Sequence, residues 1–117
     1  MNLEVQVHEE NTHLSIKAVG NYSLANLYDL FTKVKDESQN RSGRGVILDI
    51  TEVAGAVSVL DMLVLGEYCS KYWKYAFRVA IVTSGGGLNR FFENVARNRG
   101  VQIAVVRNEG EAMDWLT

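Results

Sequence analysis

Three runs rich in branched aliphatic residues, VILDI over 46–50, RVAIVT over 78–83 and VQIAVV over 101–106, are separated by stretches whose apolar residues recur at helical spacing. Nothing else in the chain restricts its fold as much. A continuous apolar run suits a strand buried on both faces, and buried strands separated by helices pair in parallel through crossovers. The first intervening helix is expected from Ser58 to about Tyr72, where Ser58 and Asp61 form a capping-box-like pair with Asp in the place of the preferred Glu. The second is marked by Leu88, Phe91, Phe92 and Val95 and is ended by Gly100.

Ahead of these runs, Leu3, Val5 and Val7, and then Leu14, Ile16 and Ala18, alternate with polar neighbours, which predicts two half-exposed antiparallel strands. From Ser23 the period becomes helical, with Leu24, Leu27, Leu30, Phe31 and Val34 on one face. Glu109 to Leu116 closes the chain as a short helix docked through Ala112, Met113, Trp115 and Leu116. The expected class is α/β, a mixed but mostly parallel sheet with helices packed on it, in the order β-β-α-β-α-β-α-β-α. At 117 residues, with 47% hydrophobic and 22% charged positions, one domain over 1–117 can bury a core without disulfide or metal staples.

Twelve basic against fourteen acidic residues leave a net charge of −2, which supplies no global field for nucleic acid. No stretch reaches the ~18 apolar residues of a membrane span, the N-terminal MNLEVQVHEE carries no export signal, and the lone Cys69 suits a reducing compartment, so a cytoplasmic protein is expected.

The order of elements, with VILDITEVAGAVSVLDM at its centre and FRVAIVTS followed by NRFFENVARNRGVQIAVVRNEGEAMDWL, resembles the SpoIIAA-like group, which includes STAS domains and, more distantly, the CRAL-TRIO lipid-transfer fold. The resemblance spans nearly the whole chain. It implies a β-α superhelix used for protein–protein regulation in anti-sigma-factor antagonists and transporter tails, and for small or lipidic ligands in some relatives. The regulatory members carry an Asp-Ser-Ser-Gly turn at the start of the second helix, where a kinase phosphorylates a serine. Here the stretch reads Ala56-Val57-Ser58-Val59-Leu60; counted from Asp49, Ser58 falls on the first serine and Val59 on the second, the usual phosphoacceptor, while the Asp and Gly are absent.

Ser58 is the phosphorylation candidate, because a helix start stabilises added negative charge; as an N-cap it does a structural job unmodified. Asp49 follows a buried-type strand and can position a ligand or partner, or simply close a loop as an acceptor. Asp49, Ser58 and Asp61 form the expected partner-binding surface, presented by the loop 51–58. With no further carboxylate or His at ligand spacing, no metal is expected, and the isolated His8 and His13 are read as surface residues.

Two further stretches carry candidate chemistry. Ser84, Gly85, Gly86 and Gly87, with Arg90 in the following helix, form a turn whose N–H groups can cradle an anion, although it lacks the Lys-Ser/Thr of a P-loop and glycines also simply make turns. Tyr68, Tyr72, Trp73 and Tyr75 belong to an aromatic concentration that either completes the core or forms a ligand pocket or homodimer patch. Arg90, Arg97 and Arg99 are a basic cluster read either as a contact for an acidic partner or as a solvated face.

No Ser-His-acid order or paired acids emerge, and Cys69 lies inside a helix, so neither an enzyme nor a cofactor is expected. The leading expectation is a STAS-like module that binds a protein partner. The alternative is a carrier holding a lipidic or other small apolar ligand between the sheet and the Tyr68–Phe77 region.

Overall fold

All nine expected elements form, in the expected order: β1 (Glu4–Glu9), β2 (His13–Asn21), α1 (Leu24–Gln39), β3 (Gly45–Ala54), α2 (Val59–Tyr72), β4 (Arg78–Val82), α3 (Arg90–Asn98), β5 (Gln102–Val106) and α4 (Glu109–Leu116). They are taken from a computed structural model that describes residues 2–40, 45–74, 76–85 and 87–117. Local chemistry sets the helix ends. Ser23, Ser58, Asn89 and Asn108 each cap a helix with a side-chain oxygen that accepts backbone N–H bonds. At the end of α3, Gly100 takes a φ of 90° while Gly100 N–H donates to Arg97 O and Val101 N–H to Ala96 O, the paired bonds of a Schellman ending.

The five strands lie in the sheet in chain order, with β1 antiparallel to β2 and every later pair parallel. Each of the three parallel crossovers therefore steps in the same direction across the sheet. Crossovers of one hand that step one way must leave their helices on one face. Accordingly α1, α2 and α3 cover the same side, where Phe31, Leu65, Phe92 and Trp73 close over Ile16, Leu48 and Ile81. The last helix has no crossover to make. It lies on the opposite face, where Ala112 joins Ile47, Ala80 and Val82 in a second, smaller core edged by Met113, Trp115 and Leu116.

The third strand runs further than expected. Pairing with β2 slips between Lys17 and Val19, which lie opposite Asp49 and Glu52, so β3 accommodates one extra residue at Ile50–Thr51. A bulge of this kind restores the alternation after it, leaving Val53 toward the main core and Glu52 beside Lys17, to which it is ion-paired. The expected loop 51–58 is thereby corrected to 55–58. His13 is corrected as well: it is buried, because it begins an interior strand flanked by β1 and β3.

Candidate functional site

At the head of α2, Ser58 is exposed and its Oγ accepts the Asp61 N–H at 3.1 Å. The reciprocal half of a capping box is missing, since the Asp61 carboxylate instead accepts the Tyr22 hydroxyl at 2.5 Å. This bond ties the end of β2 to the start of α2. Burial, and then the bond to Asp61, push the Tyr22 hydroxyl far above its ordinary pKa, so it remains a donor at any physiological pH.

Beyond Ser58 the first half of α2 exposes aliphatic side chains, with Glu67 and Lys71 following on its outer side. Val59 and Leu60 are 59% and 76% exposed, and Leu63 and Val64 are also exposed. Leu60, Val64, Tyr68 and Tyr72 follow one another at i+4 spacing and so form a single row along the helix. The far end of the row borders a shallow groove of about 350 Å3 shared with Tyr28, Glu67 and Lys71. There Tyr68 packs against Tyr28 and Tyr72, its hydroxyl is bonded to that of Thr32, and Lys35 lies over the Tyr72 ring.

Trp73 does not join this surface. It is fully buried, 4.5 Å from Phe31 between ring centroids, with Nε1–H donating to Phe31 O. Trp73 turns inward because it follows the buried Cys69 by four residues, keeping helical backbone and donating its N–H to Cys69 O, and so continues the inner face of α2. Tyr75 lies outside the described residues. Thus Tyr68 and Tyr72 belong to the outer row, Ser58 is the N-cap at the start of the same helix, and Trp73 belongs to the core beneath it.

Asp49 lies elsewhere. It shares a sheet face with Ile47, the side covered by α4, whereas α2 packs on the other. Its Oδ1 accepts both the backbone N–H of Thr51, at 2.9 Å, and the Thr51 hydroxyl, at 2.7 Å. Asp49 thereby satisfies the bulge in its own strand, a local role that the sequence pattern alone did not separate from a ligand contact.

The glycine turn closes on itself through Gly87 N–H to Ser84 O at 3.2 Å, and Thr83 Oγ1 would stand only 2.4 Å from a Cβ at residue 87. Gly86 lies outside the described residues. The first amides of α3 are not free to cradle an anion either, since Asn89 Oδ1 takes those of Phe91 and Phe92. What the turn does provide is one wall of a cleft of about 780 Å3 over the carboxyl ends of β3, β4 and β5, lined by Ser84, Gly85, Gly87 and Arg90 together with Val57 and Arg107. Arg107, absent from the expected site, is the residue following β5, and its only sequence signal was that position.

The rest of the basic cluster has structural work. Arg97 Nε–H donates to Ile103 O at 2.7 Å, and Arg99 bonds Val95 O and pairs with Glu67. Among the described residues, no three His, Cys, Asp or Glu side chains converge as a metal site, and no helix is long and apolar enough to cross a membrane.

Comparison with known proteins agrees with this topology. An anti-sigma factor antagonist from Mycobacterium paratuberculosis superimposes with a TM-score of 0.65 at 12% identity, covering 97% of this chain and 93% of that one. An uncharacterised DUF3478-family protein with a SpoIIAA-like fold from Shewanella loihica PV-4 superimposes with a TM-score of 0.57 at 23% identity, covering 99% and 94%. The chain has a SpoIIAA-like fold. No protein-family model and no curated protein matches the sequence. In this SpoIIAA-like chain, α2 carries the exposed apolar row and its N-cap is Ser58.

Proposed function

We propose that the chain is a non-enzymatic, STAS-like regulatory module of the cytoplasm, which docks a protein partner on the outer row of α2 with Ser58 at its head. The observation that carries this reading is the apolar row itself. Scattered exposed leucines are ordinary, but a helix packed on a sheet normally turns polar residues outward, and contiguous apolar exposure marks a contact surface. The similarity to an anti-sigma factor antagonist supports a protein as the class of partner. Val59 occupies the position of the usual phosphoacceptor in the resembling regulators, so docking on this face does not depend on their phosphorylation turn, and Ser58 is the one candidate acceptor, where a phosphoryl group would put a dianion at the head of α2. The carrier reading has less behind it, because Trp73 is enclosed in the core and the groove beside Tyr72 is shallow.

The test is Leu60→Asp combined with Val64→Asp. Both positions are exposed, so the folded chain is expected to keep its melting temperature. Affinity for the protein retained by the wild-type chain on purification from its source cells should fall by at least about tenfold, the loss of one hot-spot contact of about 1.4 kcal/mol. Equal retention by the variant defeats the proposal. Sedimentation velocity shows whether the occupant is a second copy, in which case the wild type is a dimer and the variant a monomer.

A further inference from the structure

The cleft over the carboxyl ends of β3, β4 and β5 is a separate feature from the α2 row and has a different chemistry. Its volume, about 780 Å3, falls within the range of small-molecule sites. Arg90 and Arg107 both line it, and no aspartate or glutamate does. Of the acids close in sequence, Glu93 is buried and accepts the Val105 N–H at 2.6 Å, Glu111 accepts the backbone N–H of Arg107 at 3.0 Å, and Glu109, in the first turn of α4, is not part of the lining. Neither guanidinium has a hydrogen bond or ion pair among the described residues, whereas Arg78, Arg97 and Arg99 all do. Two arginines without a described partner on the lining of one cleft suit an anion, because planar guanidinium donors match carboxylate and phosphate oxygens.

Most of the other donors on the lining are engaged, which leaves the two arginines and the side-chain NH2 of Asn89 beside Arg90. Thr51 Oγ1–H donates to Asp49, Ser84 Oγ–H to Thr51 O, and the leading amides of α3 to Asn89. Val57, Met62, Leu88 and Val106 supply the apolar part of a mixed lining. That lining does not continue inward, since the adjoining hollow toward Leu27 and Ile50 holds only about 10 Å3, roughly one water. No deep extension toward the sheet is therefore open to a longer chain.

We propose that the cleft takes a small organic anion, with a single carboxylate or phosphate-monoester head held by Arg90 and Arg107 and a short apolar body resting on Val57, Met62 and Leu88. The experiment is an amide-resolved NMR titration of the full chain with hexanoate, hexyl phosphate, 1-hexanol, decanoate and inorganic phosphate. Hexanoate or hexyl phosphate should saturate below about 10 mM, with shifts centred on residues 56–62, 84–90 and 105–107, and which of the two binds tighter identifies the head group. Hexanol, which lacks the charge, and inorganic phosphate, which lacks the body, should each bind at least about tenfold more weakly, and decanoate no tighter than hexanoate. Arg90→Gln with Arg107→Gln should cost the anion at least about tenfold while leaving the weak hexanol shifts unchanged.

The proposal fails if neither anion saturates or if the shifts lie elsewhere on the surface. It fails equally if hexanol or inorganic phosphate matches the anions, if decanoate binds tighter than hexanoate, or if the double variant binds as the wild type does. The probe comparison needs no variant, so it stands whatever the substitutions do to folding.

Discussion

Ser58 has two separable roles, and substitutions at this one residue tell them apart. As an N-cap it accepts the Asp61 N–H, so Ser58→Ala should lose about 1 kcal/mol and lower the melting temperature by about 4 °C. Ser58→Asp retains a capping oxygen and adds a charge that the helix start favours, so its melting temperature should stay near wild type. Calorimetry on the three proteins decides this; an aspartate variant as unstable as the alanine variant would remove the capping account. A second residue-scale prediction concerns alkaline pH. Burial raises the Cys69 thiol well above its ordinary 9.0, and burial with the Asp61 bond raises Tyr22 above its ordinary 10.0. The unfolded chain loses these protons first, so above about pH 9 the native state binds more protons and stability falls as pH rises. Unfolding in urea across this range should show a plateau below about pH 8 and a decline above about pH 9, shallower beyond about pH 10 in Tyr22→Phe. A flat profile would contradict it. The caps at Ser23 and Ser58 were legible in the sequence because Ser before an apolar period is a local signal. The role of Asp49 was not, since the bulge it satisfies depends on which strand lies alongside.

Among the helices, α2 and α3 pack most extensively against each other. Gly66, which reads in the sequence as a weakness within a helix, is required by packing: a Cβ there would lie 2.4 Å from Val95 Cγ1. Gly66→Ala gains about 1 kcal/mol of helix propensity but incurs an overpacking penalty of about 1–3 kcal/mol against a stiff β-branched side chain. Net destabilisation is expected. Adding Val95→Ala to Gly66→Ala removes the clash, so the double variant should melt above Gly66→Ala, although Val95→Ala alone is destabilising. Strictly additive melting shifts would sink this explanation. On α3 itself, two charged residues contact the sheet rather than α2. Glu93 and Arg97, one turn apart on α3, bond Val105 N–H and Ile103 O, the outward backbone groups of the last strand. Two of the outward backbone groups of β5 are thereby taken, which blunts that edge against another chain's strand. Helical spacing placed the two side chains on one face, but which strand edge they meet follows only from the tertiary arrangement.

At the scale of the molecule, the one-way order of the strands explains why the sheet is covered unequally. Three helices share the face of the main core, and α4 alone covers the other, over β3, β4 and β5 only. The uncovered part of that face is polar, with Glu4, Gln6 and His8 exposed and Lys17 paired with Glu52. The element order was legible from periodicity, but this division was not, because periodicity does not say which strands are neighbours, and the helix faces follow only once they are known. The small core under α4 therefore depends on one short helix held at both ends. Asn108 caps its start, Gly45 leaves room for Leu116, and Arg78 bonds the carbonyls of Trp115 and Leu116 with its guanidinium 4.7 Å from the Trp115 ring. Removing residues 109–117 would expose Ile47, Ala80 and Val82 together, at about 1.5–3 kcal/mol for each large side chain returned to water. Against a total stability of about 5–15 kcal/mol, a loss of that size should convert a cooperative fold into a loosely packed one that binds anilinonaphthalene sulfonate and loses amide dispersion in β3 and β4 first. Arg78→Ala, which removes only the fastening, should raise amide exchange in α4 and leave the main core protected. If the shortened chain instead keeps the wild-type spectrum and stays dark with the dye, the second core contributes little, and the three-helix face alone sustains the sheet.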